Sequence, residues 1–309
     1  MRIAFLGTPG FAVPALDALA RAGHEILAVV AQPDRPAGRG HALREPATKA
    51  WARARGCTVL QPEKVRDGGL ARDLATLSPD LLVVVAYGRI LGKDLLELAP
   101  QGAVNVHASM LPRYRGAAPI QWAIAEGEVE TGVTVMQMDE GLDTGDVLLQ
   151  RVLPIREDDD ADTLARRLSV LGGEALVEGL ERMAAGQIVP VRQDAARATL
   201  APVLERENGR LDFSLPARRL ACRIRGFRPW PGAFTTIAGR TLKVHAAEPG
   251  GDAGLAPGAA RAGAAGLLVG CGERSSLLLL EVQLEGRRRV AAVEFVKGNP
   301  VAEGTVLGT

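Results

Sequence analysis

The chain has 309 residues, of which 47% are hydrophobic and 24% charged, so its composition is ordinary for a globular protein and its length favours two domains over one. No apolar run approaches the roughly 20 residues of a membrane helix, and glycine and proline interrupt the apolar residues at the N-terminus, so neither a membrane protein nor a signal peptide is predicted. The three cysteines are odd in number, far apart and form no CxxC, which excludes a disulfide framework or zinc site of the usual spacing. A cytoplasmic location is therefore expected.

The first half of the chain alternates short apolar runs with helical patterns. Strands are predicted at 2–7, 26–31, 57–60, 80–88, 103–106 and 132–139, and helices at 11–22, 45–55, 68–77, from Pro119 onward, and at 161–185. The run at 80–88 is apolar throughout, as in a central parallel strand that is covered on both faces. This alternation predicts a doubly wound, mostly parallel, Rossmann-like α/β sheet. Residues 33–43 form a Pro/Gly/Arg loop that is too long to be a mere connection.

The pattern changes after about residue 187, where helical periodicity fades. Short apolar pieces at 232–238, 241–248, 266–271 and 276–285 then alternate with glycine-rich turns, and 250–266 has the composition of a mobile surface loop. This predicts a smaller antiparallel β-barrel, OB-like in size and pattern. The expected division is a catalytic domain at 1–189, a linker at 190–205 and a C-terminal domain at 206–309.

Charge is distributed unevenly between the two parts. Residues 201–309 contain 15 Lys and Arg against 10 Asp and Glu, whereas the residues before them contain 22 against 26. A basic C-terminal part indicates an anionic partner. Ordinary solvated charge is an equally open interpretation of this imbalance.

Polar residues with catalytic potential follow two of the predicted strands. Asn105 and His107 end the strand at 103–106, and the loop after the strand at 132–139 carries Asp143 among three other acidic residues. If the strands are neighbours, an Asn, a His and an Asp meet where α/β sheets bind ligands. Asn and protonated His can donate to a developing oxyanion, and Asp can hold the His charged or relay a proton. A structural role for the histidine, and acidic residues that merely make turns, are the alternatives.

These residues carry a resemblance to a known family. The run NVHASMLPRYRGAAPIQWAI (105–124) and the loop MDEGLDTGDVL (138–148) resemble the signature of the folate-dependent formyltransferases. Four more segments, IAFLGTPGFAVPAL, QPDRPAGRG, VVVAYGRIL and IRGFRPWPGAF, are similar to the members of that family that formylate methionine on tRNA. The resemblance spans both predicted domains.

The resemblance implies an activity and a set of residues. A formyl group would move from 10-formyltetrahydrofolate to the α-amine of methionine on initiator tRNA, by direct attack and without a covalent enzyme intermediate. Asn105 and His107 would stabilise the oxyanion, and Asp143 would position His107 and assist proton transfer. The folate would contact residues of three loops: Tyr87, Gly88, Arg89, Ile90, Leu91, Ser109, Met110, Leu111, Pro112, Met138 and Asp139. Met110 stands where the family usually has Leu, a swap that nearly conserves volume.

The resemblance also implies that tRNA is the large anionic partner. The 33–43 loop, with Arg35 and Arg39, would lie at the acceptor end of the tRNA. Phosphate contacts are predicted for a cluster just after the linker: Arg218, Arg219, Arg223, Arg225 and Arg228. The same cluster can equally be the solvated face of a helix whose Leu220, Ile224 and Phe227 pack inward. The protein is expected to be monomeric and to need no metal.

Three other functions remain open at this point. A formyltransferase acting on a small amine and a formyltetrahydrofolate hydrolase would share the Asn, His and Asp set, and a tRNA-binding protein could carry it without turnover. A nucleotide-dependent oxidoreductase is disfavoured because GTPGF (7–11) lacks the GxGxxG spacing.

Overall fold

A computed structural model describes residues 1–37, 42–302 and 304–308, which fold into two compact units. Unit 1 comprises 1–119, 130–154 and 165–202, and unit 2 comprises 120–129, 155–164 and 203–309. Residues 120–129 and 155–164 therefore belong to the unit formed by the C-terminal part. Within the residues described, no helix is both long and apolar enough to cross a membrane.

Unit 1 is built on a seven-stranded sheet in the order β5-β2-β1-β6-β7-β8-β9. The strands of the first half are β1 (Arg2–Gly7), β2 (Glu25–Val30), β3 (Arg35–Ala37), β4 (Ala42–Arg44), β5 (Thr58–Leu60), β6 (Leu81–Val85), β7 (Ala103–His107), β8 (Glu130–Gln137) and β9 (Val147–Pro154). Strands β5, β2, β1, β6 and β7 are parallel, whereas β8 and β9 are antiparallel to their neighbours. The predicted doubly wound, mostly parallel sheet is confirmed.

Helices alternate with these strands along the chain. They are α1 (Val13–Arg21), α2 (Ala47–Ala54), α3 (Gly69–Ala75), α4 (Lys93–Leu96), α5 (Pro119–Ala125) and α6 (Ala161–Ala184), although residues 120–125 of α5 and 161–164 of α6 belong to unit 2. One face of the sheet is covered by a buried cluster that includes Leu82, Val84, Tyr87, Leu91 and Leu95. Gly7 ends β1 where a side chain has no room, since a Cβ there would lie 2.8 Å from Val85 O. This agrees with a tight strand-to-helix turn at GTPGF.

The predicted loop at 33–43 is in part regular structure. Strands β3 and β4 pair antiparallel, from Arg35 opposite Arg44 to Ala37 opposite Ala42, so the segment is a hairpin. Residues 38–41, which include Arg39 and His41, lie outside the described residues. Strand β9 has no counterpart in the prediction; it is an edge strand on which Val152 stays exposed.

Unit 2 contains the antiparallel sheet predicted for the C-terminal part, in the order β10-β11-β14-β13-β12, with β15 paired to β14. Its elements are α7 (Ala217–Gly226), β10 (Ala233–Ile237), β11 (Arg240–Gly250), β12 (Ala260–Gly263), β13 (Gly266–Cys271), β14 (Ser275–Leu284), β15 (Val290–Ala291) and α8 (Ala292–Gly298). Both helices contribute to one buried cluster with the sheet, through Leu220, Ile224 and Phe295 among others. The low-complexity segment 250–266 is not all loop, because β12 pairs with β13 and Ala260 is buried.

Candidate active site

Strand β7 brings Asn105 and His107 to one face of the unit 1 sheet. The two residues are two positions apart, so their side chains leave the strand on the same side. Asn105 lies opposite Val84 of β6 and Met136 of β8, and His107 lies opposite Thr134. Only 9% of Asn105 and 6% of His107 is exposed, so both polar side chains sit in a largely desolvated position.

Asp143 reaches His107 by a route that differs from the one expected. Because β8 is antiparallel to β7, the loop after β8 begins beside the start of β7, where Met138 N donates to Ala103 O at 2.8 Å. The loop then returns, and Asp143 Oδ2 lies 3.6 Å from His107 Nδ1. Asp139 is occupied within the loop, where its Oδ1 accepts from Gly141 N and Thr144 Oγ1.

Both ring nitrogens of His107 have a neighbour among the described residues. Nε2 lies 2.9 Å from Tyr114 O, and because a carbonyl oxygen can only accept, Nε2 donates. Nδ1 faces the carboxylate of Asp143, which also accepts from Gly116 N at 2.9 Å. The orientation of the His107 ring is therefore set by Tyr114 O on one side, with Asp143 on the other.

The Asn105 side chain has no hydrogen-bond partner among the described residues, although the residue is buried. Buried amides are normally satisfied, so an amide without a partner invites a ligand atom or a water molecule. Its NH2 group can donate to an oxygen, as can a protonated imidazole. Asn105 therefore offers a donor to a negatively charged oxygen in a site that largely excludes water, whereas both ring nitrogens of His107 already face Tyr114 O and Asp143.

Three non-glycine residues around this site have positive φ angles: Ala86 at 48°, Tyr114 at 58° and Asp143 at 52°. Each lies in a different loop, after β6, β7 and β8 respectively. This conformation costs an L-residue about 1–3 kcal/mol and persists only where the surroundings hold it. Such strain is concentrated at functional sites, which fits the placement of all three loops here.

The residues predicted to contact folate lie in these loops. Strands β6 and β7 are parallel neighbours, so Tyr87–Leu91 and Ser109–Pro112 start from the same edge of the sheet. Ile90 is 63% exposed, while Tyr87 and Leu91 are buried, and burial raises the pKa of the Tyr87 phenol. Met138 packs against the cluster that contains Tyr87 and Leu91, whereas Asp139 is exposed.

Several main-chain groups in this set are already used inside unit 1. Thr134 Oγ1 donates to Ser109 O and accepts from Leu111 N, and Gln150 Nε2 donates to Leu111 O. Ser109 Oγ donates to Arg113 O at 2.6 Å. The loop after β7 is thus held by Thr134 and Gln150, two residues that the sequence patterns did not single out.

The arginines predicted to contact tRNA fall into different environments. Arg35 is exposed at the start of β3, and Arg39 lies outside the described residues. In unit 2, Arg219 and Arg223 both form ion pairs with Glu126, and Arg228 pairs with Asp160. Arg225 Nη1 donates to three main-chain oxygens, of residues 156, 157 and 159.

Arg218 differs from the other four arginines of this cluster. It is exposed on α7 and has no side-chain partner among the described residues. The inward residues of α7 pack as the helical interpretation predicted, since Leu220, Ile224 and Phe227 are all buried. Four of the five arginines therefore have a structural function within unit 2, and Arg218 is the one whose charge is uncommitted.

Asp160 shows how strongly this cluster is paired. Burial raises the pKa of its carboxyl, but hydrogen bonds from Thr163 and the ion pair with Arg228 outweigh that effect and hold the pKa below its ordinary value. Within the described part of the chain, no group of three or more His, Cys, Asp or Glu side chains is placed to hold a metal ion.

Gln193 is a site residue that sequence reasoning missed. It lies in the predicted linker, yet it is buried and bonded to the loop that carries Asp143. No local pattern reveals a contact across 50 positions of sequence. Residues 191–201 are in fact part of unit 1: Val191 pairs with Val147, and Ala201 N donates to Arg115 O at 2.7 Å.

Comparison with known proteins identifies the family. The family described as "Formyl transferase" matches residues 1–180, and "Formyl transferase, C-terminal domain" matches 203–300. The methionyl-tRNA formyltransferase of Anaeromyxobacter dehalogenans (strain 2CP-1) is 68% identical, covering 96% of this chain and 97% of its own. That of Myxococcus xanthus is 51% identical, covering 98% and 97%.

A solved structure shares the fold at lower identity. The N-formyltransferase of Helicobacter canadensis, solved with folinic acid and dTDP-3-aminofucose, superposes with a TM-score of 0.68 at 17% identity, over 90% of this chain and 98% of its own. With both family matches and relatives at half to two thirds identity over nearly the whole length, this chain belongs to the formyltransferase family.

Proposed function

We propose that this formyltransferase transfers the formyl group of 10-formyltetrahydrofolate to the α-amino group of methionine on initiator tRNA. The observation that carries the chemistry is the partnerless Asn105 amide beside the His107–Asp143 ion pair, on one face of the sheet. The acceptor is supported by relatives named methionyl-tRNA formyltransferase, which match this chain along nearly their whole length.

The folate donor fits the edge formed by the loops after β6 and β7. Exposed Ile90 gives this edge apolar surface for a flat ring, whereas Leu91 and Leu111 of the same loops are buried. Tyr87, Gly88, Arg89, Ile90, Leu91, Ser109, Met110, Leu111, Pro112, Met138 and Asp139 are the proposed contacts. Tyr87 O, which accepts from Gln32 Nε2 at 2.8 Å, is held in place rather than offered to a ligand.

The reaction follows from the positions of three side chains. The neutral α-amine attacks the formyl carbon and forms the new C–N bond, while the carbonyl oxygen becomes negatively charged. Asn105 donates to that oxygen through its amide and His107 stabilises it with positive charge. Asp143 accepts the proton that the attacking nitrogen must lose. Collapse of the intermediate breaks the bond to the folate nitrogen, which leaves with the proton that Asp143 took from the amine, so Asp143 returns to its carboxylate form.

The initiator tRNA is the partner proposed for unit 2. Residues 201–309, which form most of unit 2, are basic overall. Arg218 is exposed and has no ion-pair partner among the described residues. Arg219, Arg223, Arg225 and Arg228 then contribute chiefly by holding unit 2 together, with direct phosphate contact limited to what their exposed edges allow. Arg35, at the start of β3, and Arg39, which lies outside the described residues, complete the proposed tRNA contacts. The enzyme would act as a monomer in the cytoplasm, where translation is initiated.

A comparison of acceptors tests this function. Purified protein is incubated with 10-formyltetrahydrofolate and either charged initiator Met-tRNA, free methionine, or no acceptor. Formyl-methionyl-tRNA should form rapidly, and the other two samples should show no comparable turnover. Rapid formylation of free amines would support a small-amine transferase, and folate turnover without acceptor would support a hydrolase; either result would overturn the proposed acceptor.

A further inference from the structure

We infer that Gln193, together with Arg115, is a positioning pair that sets the Asp143 carboxylate against His107. This inference rests on the proposed function for the role of Asp143. Gln193 lies between the two ranges matched by the family, 1–180 and 203–300, and only 9% of it is exposed. All the groups involved belong to unit 1.

The Gln193 side chain donates hydrogen bonds to main-chain oxygens of the loop that carries Asp143. Its Nε2 donates to Asp143 O at 2.9 Å and to Gly145 O at 2.7 Å. Asp143 has a φ of 52°, in the left-handed region that few L-residues other than Asn and Asp adopt. Two hydrogen bonds from one buried amide, to the carbonyls on either side of Thr144, hold the turn that begins at Asp143.

Arg115 fixes the other end of the same amide. Its Nε and Nη2 donate to Gln193 Oε1 at 3.1 and 2.7 Å. Both amide hydrogens and both lone pairs of Gln193 are thus used, and reversing the amide would leave none of these bonds intact. The side chain has one orientation available, which makes it suited to a positioning role.

Arg115 also links this amide to the carboxylate itself. Its main chain is held between Thr199 O and Ala201 N, at 2.9 and 2.7 Å. The next residue, Gly116, donates its N–H to Asp143 Oδ2 at 2.9 Å. Asp143 is therefore held at its carbonyl by Gln193 and at its carboxylate by the segment that carries Arg115.

The Tyr114 carbonyl extends the same arrangement to His107. Tyr114 N donates to Thr199 Oγ1 at 2.9 Å, and Tyr114 O accepts from His107 Nε2 at 2.9 Å. Residues 193–201 thus hold both His107 and Asp143 through hydrogen bonds, made directly to Asp143 O or through the main chain of residues 114–116. A segment predicted as a linker becomes a structural support of the catalytic set.

A double-mutant cycle tests the inference, using Gln193→Ala, Asp143→Asn and the combined variant. Gln193→Ala should lower kcat about 10- to 100-fold, with KM for folate and tRNA changed less than about 3-fold. In the Asp143→Asn background, Gln193→Ala should have almost no further effect, because the group it positions is already lost. Gln193→Glu, which keeps the volume but cannot donate to Asp143 O, should resemble Gln193→Ala.

Gln137→Ala is the matched control, since this glutamine of unit 1 also donates to two main-chain oxygens, at Gln101 and Ala103. It should keep kcat within about 2-fold. Thermal unfolding of every variant separates loss of fold from loss of positioning.

Equal effects of Gln193→Ala in both backgrounds, or a kcat like that of Gln137→Ala, would overturn the inference. The cycle is read from tetrahydrofolate release as well as from the formylated acceptor. If wild-type protein turns over folate without formylating Met-tRNA, the proposed acceptor fails, and the same cycle still decides the role of Gln193.

Discussion

Asp143 combines a costly main-chain conformation with a charge in a largely buried position. Its side chain is 15% exposed and its Oδ2 serves both His107 and Gly116 N. A carboxylate in such a place is compensated by the donors around it. The contacts of Asp143 place its carboxylate against the His107 ring, as the proposed mechanism requires.

Asp143→Asn should lower kcat by roughly 10²- to 10⁴-fold, because the amide keeps the shape and an acceptor for Gly116 but has neither the charge nor the basicity. The midpoint of thermal unfolding should change by only a few degrees. Asp146→Asn, the same isosteric change three positions along the loop, is the control and should leave kcat near the wild-type value. Comparable kcat values for the two variants would contradict the role of Asp143.

The sequence predicts that His107 and Asp143 meet but not what holds them together. Asn105, His107 and Asp143 are predicted site residues because polar residues stand out at the ends of apolar strands. Gln193 and Thr134 were missed because their bonds join positions far apart in sequence, and neither interrupts a local pattern. Contacts of this kind become visible only when the chain is folded.

The sequence predicts the order of the strands along the chain more reliably than their direction in the sheet. The strands at β6, β7 and β8 were each expected, and β7 and β8 are neighbours. Their antiparallel pairing differs from the prediction, which places Asn105, His107 and Asp143 at the carboxyl ends of parallel strands. Strand β9 has a partly exposed, weakly alternating pattern and escaped prediction, whereas α7 was anticipated as a helix whose arginines form its solvated face.

Helices α5 and α7 pack in unit 2 at a point where only glycine fits. A Cβ on Gly226, the last residue of α7, would lie 2.7 Å from Gln121 O and 2.8 Å from Ala125 N. Those are main-chain atoms of α5 that cannot simply rotate away. Trp122 of the same helix packs edge-on against Phe227, with ring centroids 5.3 Å apart.

Gly226→Ala should therefore lower the free energy of unfolding by about 1–3 kcal/mol, measured by urea denaturation. Gly298→Ala is the matched control, because Gly298 also ends a helix and has nothing within 4 Å of its added Cβ. That change should be neutral or stabilising by up to about 1 kcal/mol. A Gly226→Ala protein as stable as Gly298→Ala would show that α5 and α7 are not in such close contact.

At the scale of the whole molecule, the sequence predicts where basic residues are concentrated, but not which of them are already paired within the protein. Residues 201–309 carry the excess of Lys and Arg, but Arg219, Arg223 and Arg225 of α7, and Arg228 after it, pair with Glu126, Asp160 or main-chain oxygens. Composition shows how many charges a chain has and cannot show which are neutralised. Binding of an anionic partner depends on the basic side chains that are not neutralised by an ion pair within the protein.

Arg218→Ala should raise the KM for Met-tRNA about 2- to 5-fold and reduce the slope of log KM against log salt by roughly one unit, since one phosphate contact is lost. Arg274→Ala is the control: it removes the same charge, but Arg274 is already paired with Asp252 at 2.8 Å. Identical salt slopes for wild type and Arg218→Ala would remove Arg218 from the tRNA contacts.

The most direct measurement is a single turnover with formyl-labelled 10-formyltetrahydrofolate, excess enzyme and charged initiator Met-tRNA, quenched at successive times. The label should pass from folate to the tRNA fraction without appearing on the protein, and Asp143→Asn should slow that transfer. Label that accumulates on the protein, or leaves as formate while Met-tRNA stays unmodified, would contradict direct attack by the methionine amine at Asn105, His107 and Asp143.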